Sequence, residues 1–388
     1  MGKQSRRKRE RSPGEAKALR YLARLGLPDH PDPGPYRRLA AADPEWYRAV
    51  TSADDPLVAY RLLYRDLDSA LAEYASRPVM LALAWLRWWY EHQPGATRLL
   101  DAGCGIGVLT CAYALALPEA EVIGVDAVPG AVERAGELAG RLGVHNLSFV
   151  VGDVADPPAG IGDFDQLVAV TALADAGLYP QHPPEDRESF STLADVDGPG
   201  AEFRSPGVER LTGCLSSGGT MLAFDRTPDA SQAVRFGAAL LHSGVDLDLR
   251  RSGVEVFIEE GRTTTFTRFV GTRAASPATE TAALAAWLKA VKAPAYGRTW
   301  QDELRFAAVQ AGGARLIWGC EIDYAPHGEM LERREIWDLD DDLYGWITTT
   351  SGLRELVVGR SAEELWREYA NYAGRFATAG LAVRFYEG

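Results

Sequence analysis

The run Leu99-Leu100-Asp101-Ala102-Gly103-Cys104-Gly105-Ile106-Gly107 holds the residues best suited to chemistry. An apolar stretch ends in a carboxylate, three glycines follow at alternate positions, and the segment from Val108 to about Leu117 is apolar and helical in character. That order predicts a strand, a sharp turn and a helix. Glycines are needed where the backbone bends tightly and a ligand approaches with no Cβ in the way. The spacing is G-x-G-x-G, and Val108 stands where a dinucleotide fingerprint has its third glycine. A pyrophosphate has to rest on bare amides at a helix N-terminus, so the departure bears on the kind of ligand. A second acid, Asp126, ends the strand-like run Glu121 to Val125, one strand–helix–strand unit further on. A carboxylate there can accept from both hydroxyls of a ribose, and a hydrogen bond to a charged group contributes roughly 1.5–3 kcal/mol net. Acids placed in this way also serve NAD sites, so Asp126 alone does not discriminate.

The glycine run resembles motif I of class I, Rossmann-like S-adenosylmethionine (SAM) dependent methyltransferases, whose form is an acidic residue, any residue, then G-x-G-x-G. The likeness continues in order along the chain. Val122-Ile123-Gly124-Val125-Asp126 resembles the second strand with its ribose-binding carboxylate, and Val151-Gly152-Asp153-Val154 the third strand with its adenine-contacting turn. Phe164 to Val170 resembles the fourth strand, and Leu215-Ser216-Ser217-Gly218-Gly219 before Thr220-Met221-Leu222 the turn into the fifth. The match covers about residues 75 to 273, and SAM, which has no phosphate, suits the missing third glycine. The resemblance implies a cofactor set of Asp101, Gly103, Cys104, Gly105, Gly107, Asp126, Ala127, Asp153, Val154 and Thr171. In that set Asp101 faces the methionine amino end, Asp126 the ribose and Asp153 the adenine N6 amine. Val154 offers a backbone N–H to the ring, while Ala127 and Val128 pack on it. Read without the family, Asp153 is a turn or cap residue, Asp101 a strand-end carboxylate held by nearby amides, and Cys104 a small filler whose backbone matters more than its thiol.

Transfer of an activated methyl from a sulfonium needs alignment at about 3 Å and exclusion of water. A base is needed only when the acceptor must first lose a proton, so no catalytic residue follows from the motif. The region after the fourth strand, Thr171-Ala172-Leu173-Ala174-Asp175, lacks the N/D-P-P-Y motif used on amino groups of adenine or glutamine, and the chain lacks the paired catalytic cysteines of RNA 5-methylcytosine enzymes. A long polar stretch, Gly177 to Gly207, follows; loops of such length are functional or disordered. Tyr179 and His182 are its candidate acceptor-site groups, set against a merely solvated loop. Asp340-Asp341-Asp342 reads as an exposed turn rather than a metal site, and no His/Asp/Glu cluster has metal-ligand spacing.

The elements that must position these residues form an α/β fold: a seven-stranded Rossmann-like sheet, mostly parallel with an antiparallel edge hairpin, a helical cap before it and an α+β domain after it. Residues 1–13 read as a disordered basic tail, 14–93 as the cap, 94–274 as the SAM-binding methyltransferase domain and 275–388 as the accessory domain. Ser12-Pro13-Gly14-Glu15 and Asp43-Pro44-Glu45 are helix starts. Leu57 to Tyr74 carries apolar residues at helical spacing, and Val79 to His92 is an aromatic-rich helix whose Trp85, Trp88, Trp89 and Tyr90 fill a core or cap a substrate pocket. Val254 to Ile258 and Thr264 to Gly271 flank Glu259-Glu260-Gly261 as a hairpin. Beyond residue 275, helices at Pro277 to Lys292 and Trp300 to Gln310 precede strand-like runs at Ala314 to Tyr324, Glu329 to Trp337, Tyr344 to Thr350 and Leu353 to Val358. A capping-box helix from Ser361 and a strand at Leu381 to Tyr386 close the chain.

Composition narrows the partners. With 388 residues and a net charge of -13, the chain is expected to be multidomain and is a poor general binder of nucleic acid or anionic membrane. The four cysteines form no C-x-x-C pair, which argues against structural zinc and suits a reducing cytoplasm. No secretory signal follows the basic start, and Val79 to Tyr90 is too short to span a bilayer. The expected activity is methyl transfer from SAM to an O or N atom of a small molecule. The alternatives are a protein, peptide or RNA acceptor gripped by residues 275–388, and a non-catalytic SAM-binding protein.

Overall fold

The computed structural model describes residues 11–52, 56–76, 78–92, 95–158, 160–174, 176, 178, 205–227, 230–259, 262–290, 305–306, 309–324, 331–340, 342–349 and 354–388. The chain divides into two units, residues 1–172 with 213–220, and residues 173–212 with 221–388.

Among the described residues six helices precede the first strand: α1 (Pro13–Arg24), α2 (Gly34–Ala42), α3 (Pro44–Thr51), α4 (Pro56–Leu63), α5 (Leu67–Ser76) and α6 (Pro78–His92). Their starts are set by side-chain caps. The Ser12 hydroxyl accepts from the Glu15 amide and Asp43 from the Trp46 amide, each satisfying a donor that the first helical turn leaves unpaired. The helical pattern from Leu57 to Tyr74 is two helices rather than one. Asp66 starts the second, with its carboxylate accepting from both the amide and the hydroxyl of Ser69. Three tryptophans of α6, Trp85, Trp88 and Trp89, are buried, so the core reading of these rings holds.

The alternation that follows is β1 (Arg98–Ala102), α7 (Val108–Ala116), β2 (Glu121–Asp126), α8 (Pro129–Leu142), β3 (Leu147–Val151), β4 (Phe164–Val170), α9 (Pro206–Gly213), β5 (Leu215–Arg226), α10 (Ala230–His242), β6 (Val245–Leu247), β7 (Gly253–Glu259) and β8 (Arg262–Arg273). They form one sheet in the order β3-β2-β1-β4-β5-β8-β6, with β7 paired to β8. β1 lies between β2 and β4, parallel to both, and β2 runs parallel to β3. The near-continuous burial of β1 and β4 is what a parallel strand covered on both faces requires. The antiparallel edge contains one strand more than the hairpin alone: β8 pairs with β7 along its first part and with the short β6 at Gly271 to Arg273. Val245-Asp246-Leu247 is too short to register as a strand in the sequence.

Within the first unit the N-terminal helices are tied to α7 and α8. The Tyr21 hydroxyl donates to the carbonyl of Val108, the Arg24 guanidinium to that of Leu142, and the Trp85 indole N–H to the Tyr113 hydroxyl at 2.6 Å.

After α11 (Thr281–Ala290), a second, antiparallel sheet is built from β9 (Arg315–Asp323), β10 (Leu331–Leu339), β11 (Asp342–Thr349), β12 (Arg354–Val358) and β13 (Ala382–Glu387), with α12 (Ala362–Thr378) before the last strand. The order is β12-β11-β10-β9-β13. The Ser361 capping box is present in full. Leu365, Tyr369 and Ala373 of α12 pack on Ile322, Ile336 and Ile347 of the sheet. Leu339 pairs with Asp342, and Asp340 between them is exposed with φ 52°, a tight turn of the kind aspartate tolerates. Among the described residues no helix is long and apolar enough to cross a membrane.

Candidate cofactor site

β1 ends at Ala102, and the chain turns through Gly103, Gly105 and Gly107 with φ of 77°, 51° and 78°. All three lie in the left-handed region that L side chains rarely adopt, but they differ in what surrounds them. A Cβ on Gly103 would stand 2.3 Å from the Cβ of Ala172, so the turn after β4 is pressed against the bend. A Cβ on Gly105 would meet no atom within 4 Å. The first glycine is needed for packing; the second fronts a hollow. The bend is pinned from behind, since the amides of Gly103 and Cys104 both donate to the Val125 carbonyl of the neighbouring strand, at 2.8 and 3.0 Å.

Asp126 points at this bend. One carboxylate oxygen accepts from the Gly105 amide at 2.8 Å and the other from the Val128 amide at 2.9 Å. Burial raises its pKa, and the two amides oppose the rise. An ionised carboxylate has about four acceptor positions; two are taken, and the rest suit a vicinal diol. Ala127 is exposed beside it, while Val128 is buried.

Asp101 is buried, and one oxygen accepts from the Thr110 hydroxyl at 2.6 Å. Burial pushes its carboxyl up to about 7, the Thr110 hydrogen bond pulls it down, and the Asp126 charge adds to the rise. Its bonded partner is thus a hydroxyl from α7. Cys104 is buried, and burial also pushes its thiol up, so the filler reading suits it. Asp153 is exposed and accepts from the Ala155 amide at 2.8 Å, closing its own turn. Its second oxygen has no hydrogen-bond partner among the described residues, so the turn role and an adenine role are compatible. Val154 beside it is buried. Thr171 follows β4 with φ 55°, its hydroxyl donating to the Val170 carbonyl. A β-branched residue held there stores strain of the sort found at ligand sites.

The structure therefore brings Asp101, the glycine bend, Asp126, Ala127 and Thr171 to the C-terminal ends of β1, β2 and β4, where open α/β sheets bind ligands. Tyr179 and His182 lie outside the described residues. In the second unit, buried Asp225, at the end of β5, accepts from the amides of Leu173 and Ala174 at 2.9 and 3.0 Å. It fixes the start of the segment after β4. The signal for it was in the sequence, an acid closing the apolar run Met221 to Phe224, the same signature that marks Asp101 and Asp126.

Residues 94–203 match the sequence model of a family described as a methyltransferase domain. This stretch of the chain is thus similar to methyltransferase domains. Within such a domain the bare face over Gly105 and the half-used carboxylate of Asp126 fit the adenosyl group. The chain is 38% identical over 108 residues to a 23S rRNA uracil-C5 methyltransferase of Salmonella typhimurium, covering 27% of this chain and 23% of that one. It is 41% identical over 81 residues to the magnesium-protoporphyrin O-methyltransferase of Rhodobacter capsulatus, covering 20% of this chain and 32% of that one. The crystal structure of magnesium protoporphyrin IX methyltransferase from Synechocystis aligns at 15% identity and a TM-score of 0.32, over 63% of this chain and 98% of that one. The chain spans 14% to 32% of the length of the first curated relatives it matches.

Gly103→Ala should lose roughly 2–4 kcal/mol of stability, combining left-handed strain with overpacking against Ala172; chemical denaturation measures it, and a loss under about 0.5 kcal/mol would contradict the packing described. An acid whose pKa is raised on folding folds with its proton on. The contribution of Asp101 is therefore complete below its ordinary value of 3.8 and fades as pH rises through about 7. Wild-type stability relative to Asp101→Asn should accordingly fall between about pH 4 and pH 7 in denaturation series and level off above; a difference that stays constant with pH would refute it.

Proposed function

We propose that the chain transfers the methyl group of SAM to an oxygen or nitrogen atom of a small-molecule acceptor, in the cytoplasm. The observation that carries the cofactor half is the Asp126 carboxylate tied to the Gly105 amide beside an open hollow. The net charge of -13 supports a small acceptor over a polyanion. So does the absence of N/D-P-P-Y after β4, where Thr171 and Ala172 stand instead. The four cysteines are buried and none is in a disulfide, in keeping with a reducing compartment.

Bound SAM supplies a methyl group already activated by the positive sulfonium. The protein then has to bind, orient and exclude water. The Gly103 to Gly107 bend gives the adenosyl group a surface without side chains, Asp126 holds the ribose, and Asp101 presents negative charge to the methionine amine. Val154 and Ala127 flank the adenine, with Asp153 reaching its amine. Ordering substrate and cofactor in this way supplies most of what an in-line displacement needs.

A second reading has the five-stranded sheet and α12 gripping a macromolecular acceptor. The separate antiparallel sheet in residues 315–387 favours it, as does the rRNA substrate named for the Salmonella relative.

Turnover with SAM against panels of small molecules, RNA and proteins, read as S-adenosylhomocysteine release, separates the two. Activity on small molecules is expected, and activity confined to RNA or protein would overturn the first reading. Asp126→Ala should weaken SAM binding in calorimetric titration by about 1.5–3 kcal/mol; native affinity in that variant would contradict the cofactor assignment.

A further inference from the structure

We infer that Asp101 exchanges its proton for the ammonium group of the ligand: without ligand the carboxyl is neutral, and when a charged amine arrives it ionises and the proton leaves to solvent. The inference rests on the SAM reading above, which puts the methionine amine at Asp101, and it adds a proton step that the glycine motif does not contain.

The two acids at the bend share one face of the sheet. Asp101 is in register with Gly124 of β2 and Val168 of β4. Residues in register on parallel strands point the same way, and residues two apart on a strand return to the same face, so Asp126 lies on that face too. Strand spacing and rise put the two Cα atoms roughly 8 Å apart. Gly124 adds no side chain between them; a Cβ there would stand 3.0 Å from the Cβ of Cys104.

Their partners differ. Asp126 has an amide on each oxygen, from Gly105 and Val128, and such donors favour the charged form. Asp101 is only 2% exposed, and its hydrogen-bond partner among the described residues is the hydroxyl of Thr110, itself fully buried. Its second oxygen has no partner among them, yet it is not one of the polar atoms sealed from solvent. The enclosed carboxyl therefore keeps one free oxygen, and that oxygen is its point of access.

The other titratable groups around Asp101 are Cys104 of the bend, Cys111 and Tyr113 of α7 and Tyr74 of α5, all held neutral by burial. Among the described residues no lysine, arginine or histidine acts on it. A carboxylate enclosed in this way, with one neutral donor and a second negative charge on its face, keeps its proton rather than ionise unpaired. An ammonium group reverses the balance, bringing three donors and a positive charge to the free oxygen. The O–H bond of Asp101 then gives its proton to water or buffer, and an N–H donor takes its place.

Calorimetric titration of the full-length protein with two stable ligands tests the exchange. S-adenosylhomocysteine carries the amine, which stays charged near neutral pH; 5′-methylthioadenosine keeps the adenine and ribose and lacks the amino-acid end. A group that is protonated when free and ionised when bound makes affinity rise with pH up to its free value and level off above it. With that value at about 7, S-adenosylhomocysteine should bind about tenfold more tightly at about pH 8 than at about pH 6. Over the same range 5′-methylthioadenosine should change by less than about twofold. Both ligands present a ribose to Asp126, so the difference between them isolates the amino-acid end. Titrations at about pH 6 in two buffers of different ionisation heat should show close to one proton released with S-adenosylhomocysteine and almost none with 5′-methylthioadenosine. Asp101→Asn should bind S-adenosylhomocysteine with no pH dependence and no proton release, while the comparison of ligands on the wild-type protein needs no variant. A wild-type affinity for S-adenosylhomocysteine that is equal at both pH values, an equal pH dependence for both ligands, or a tenfold rise kept in Asp101→Asn would overturn the inference and leave the cofactor reading intact. Failure of the wild-type protein to bind either ligand at the higher pH would overturn both.

Discussion

A carboxylate at the end of one strand, gripping the amide of a glycine on the next loop, is the constraint on which the site depends. Asp126 ties Gly105 and Val128 with its two oxygens, and the carbonyl of Val125 just before it holds Gly103 and Cys104. Two consecutive residues of β2 thus define the path of the loop leaving β1. The loop can take that path only because its glycines accept left-handed φ. The hollow over Gly105 is a consequence of this arrangement, and it leaves the same carboxylate with acceptor capacity to spare.

The buried acid behind the bend has a different character. Asp101 is enclosed, bonded to one hydroxyl and close enough to Asp126 to feel its charge. Burial above all, with repulsion from the Asp126 charge adding to it, raises the Asp101 carboxyl and favours its protonated form in the ligand-free site. A cation brought near would reverse that preference, which links the protonation of the site to its occupant. The positive charge of SAM is suited to such a role, whereas a neutral thioether lacks the sulfonium charge.

Much of this was legible in the sequence, because the features concerned are local. The glycine spacing, the acids closing β1 and β2, and the Ser361 capping box each depend on residues within a few positions of one another, and all stand where their residue types require. The edge of the sheet was legible as antiparallel, but β6 was not, because three residues carry no periodicity. The break between α4 and α5 was hidden because its cause is Asp66 capping the second helix, while the apolar spacing continues across it. Asp225 was missed for a further reason: its significance lies in the amides of Leu173 and Ala174 that the fold brings to it, and one acid after a strand does not declare its partner. The same holds for Asp153, whose turn-closing bond and ligand role are both consistent with one position.

The most direct measurement is a crystal structure of the protein grown with S-adenosylhomocysteine. The account requires electron density for the nucleoside over Gly105, with both ribose hydroxyls on the Asp126 carboxylate and the amino-acid end toward Asp101. Density for the ligand elsewhere, or a ribose out of reach of Asp126, would contradict it.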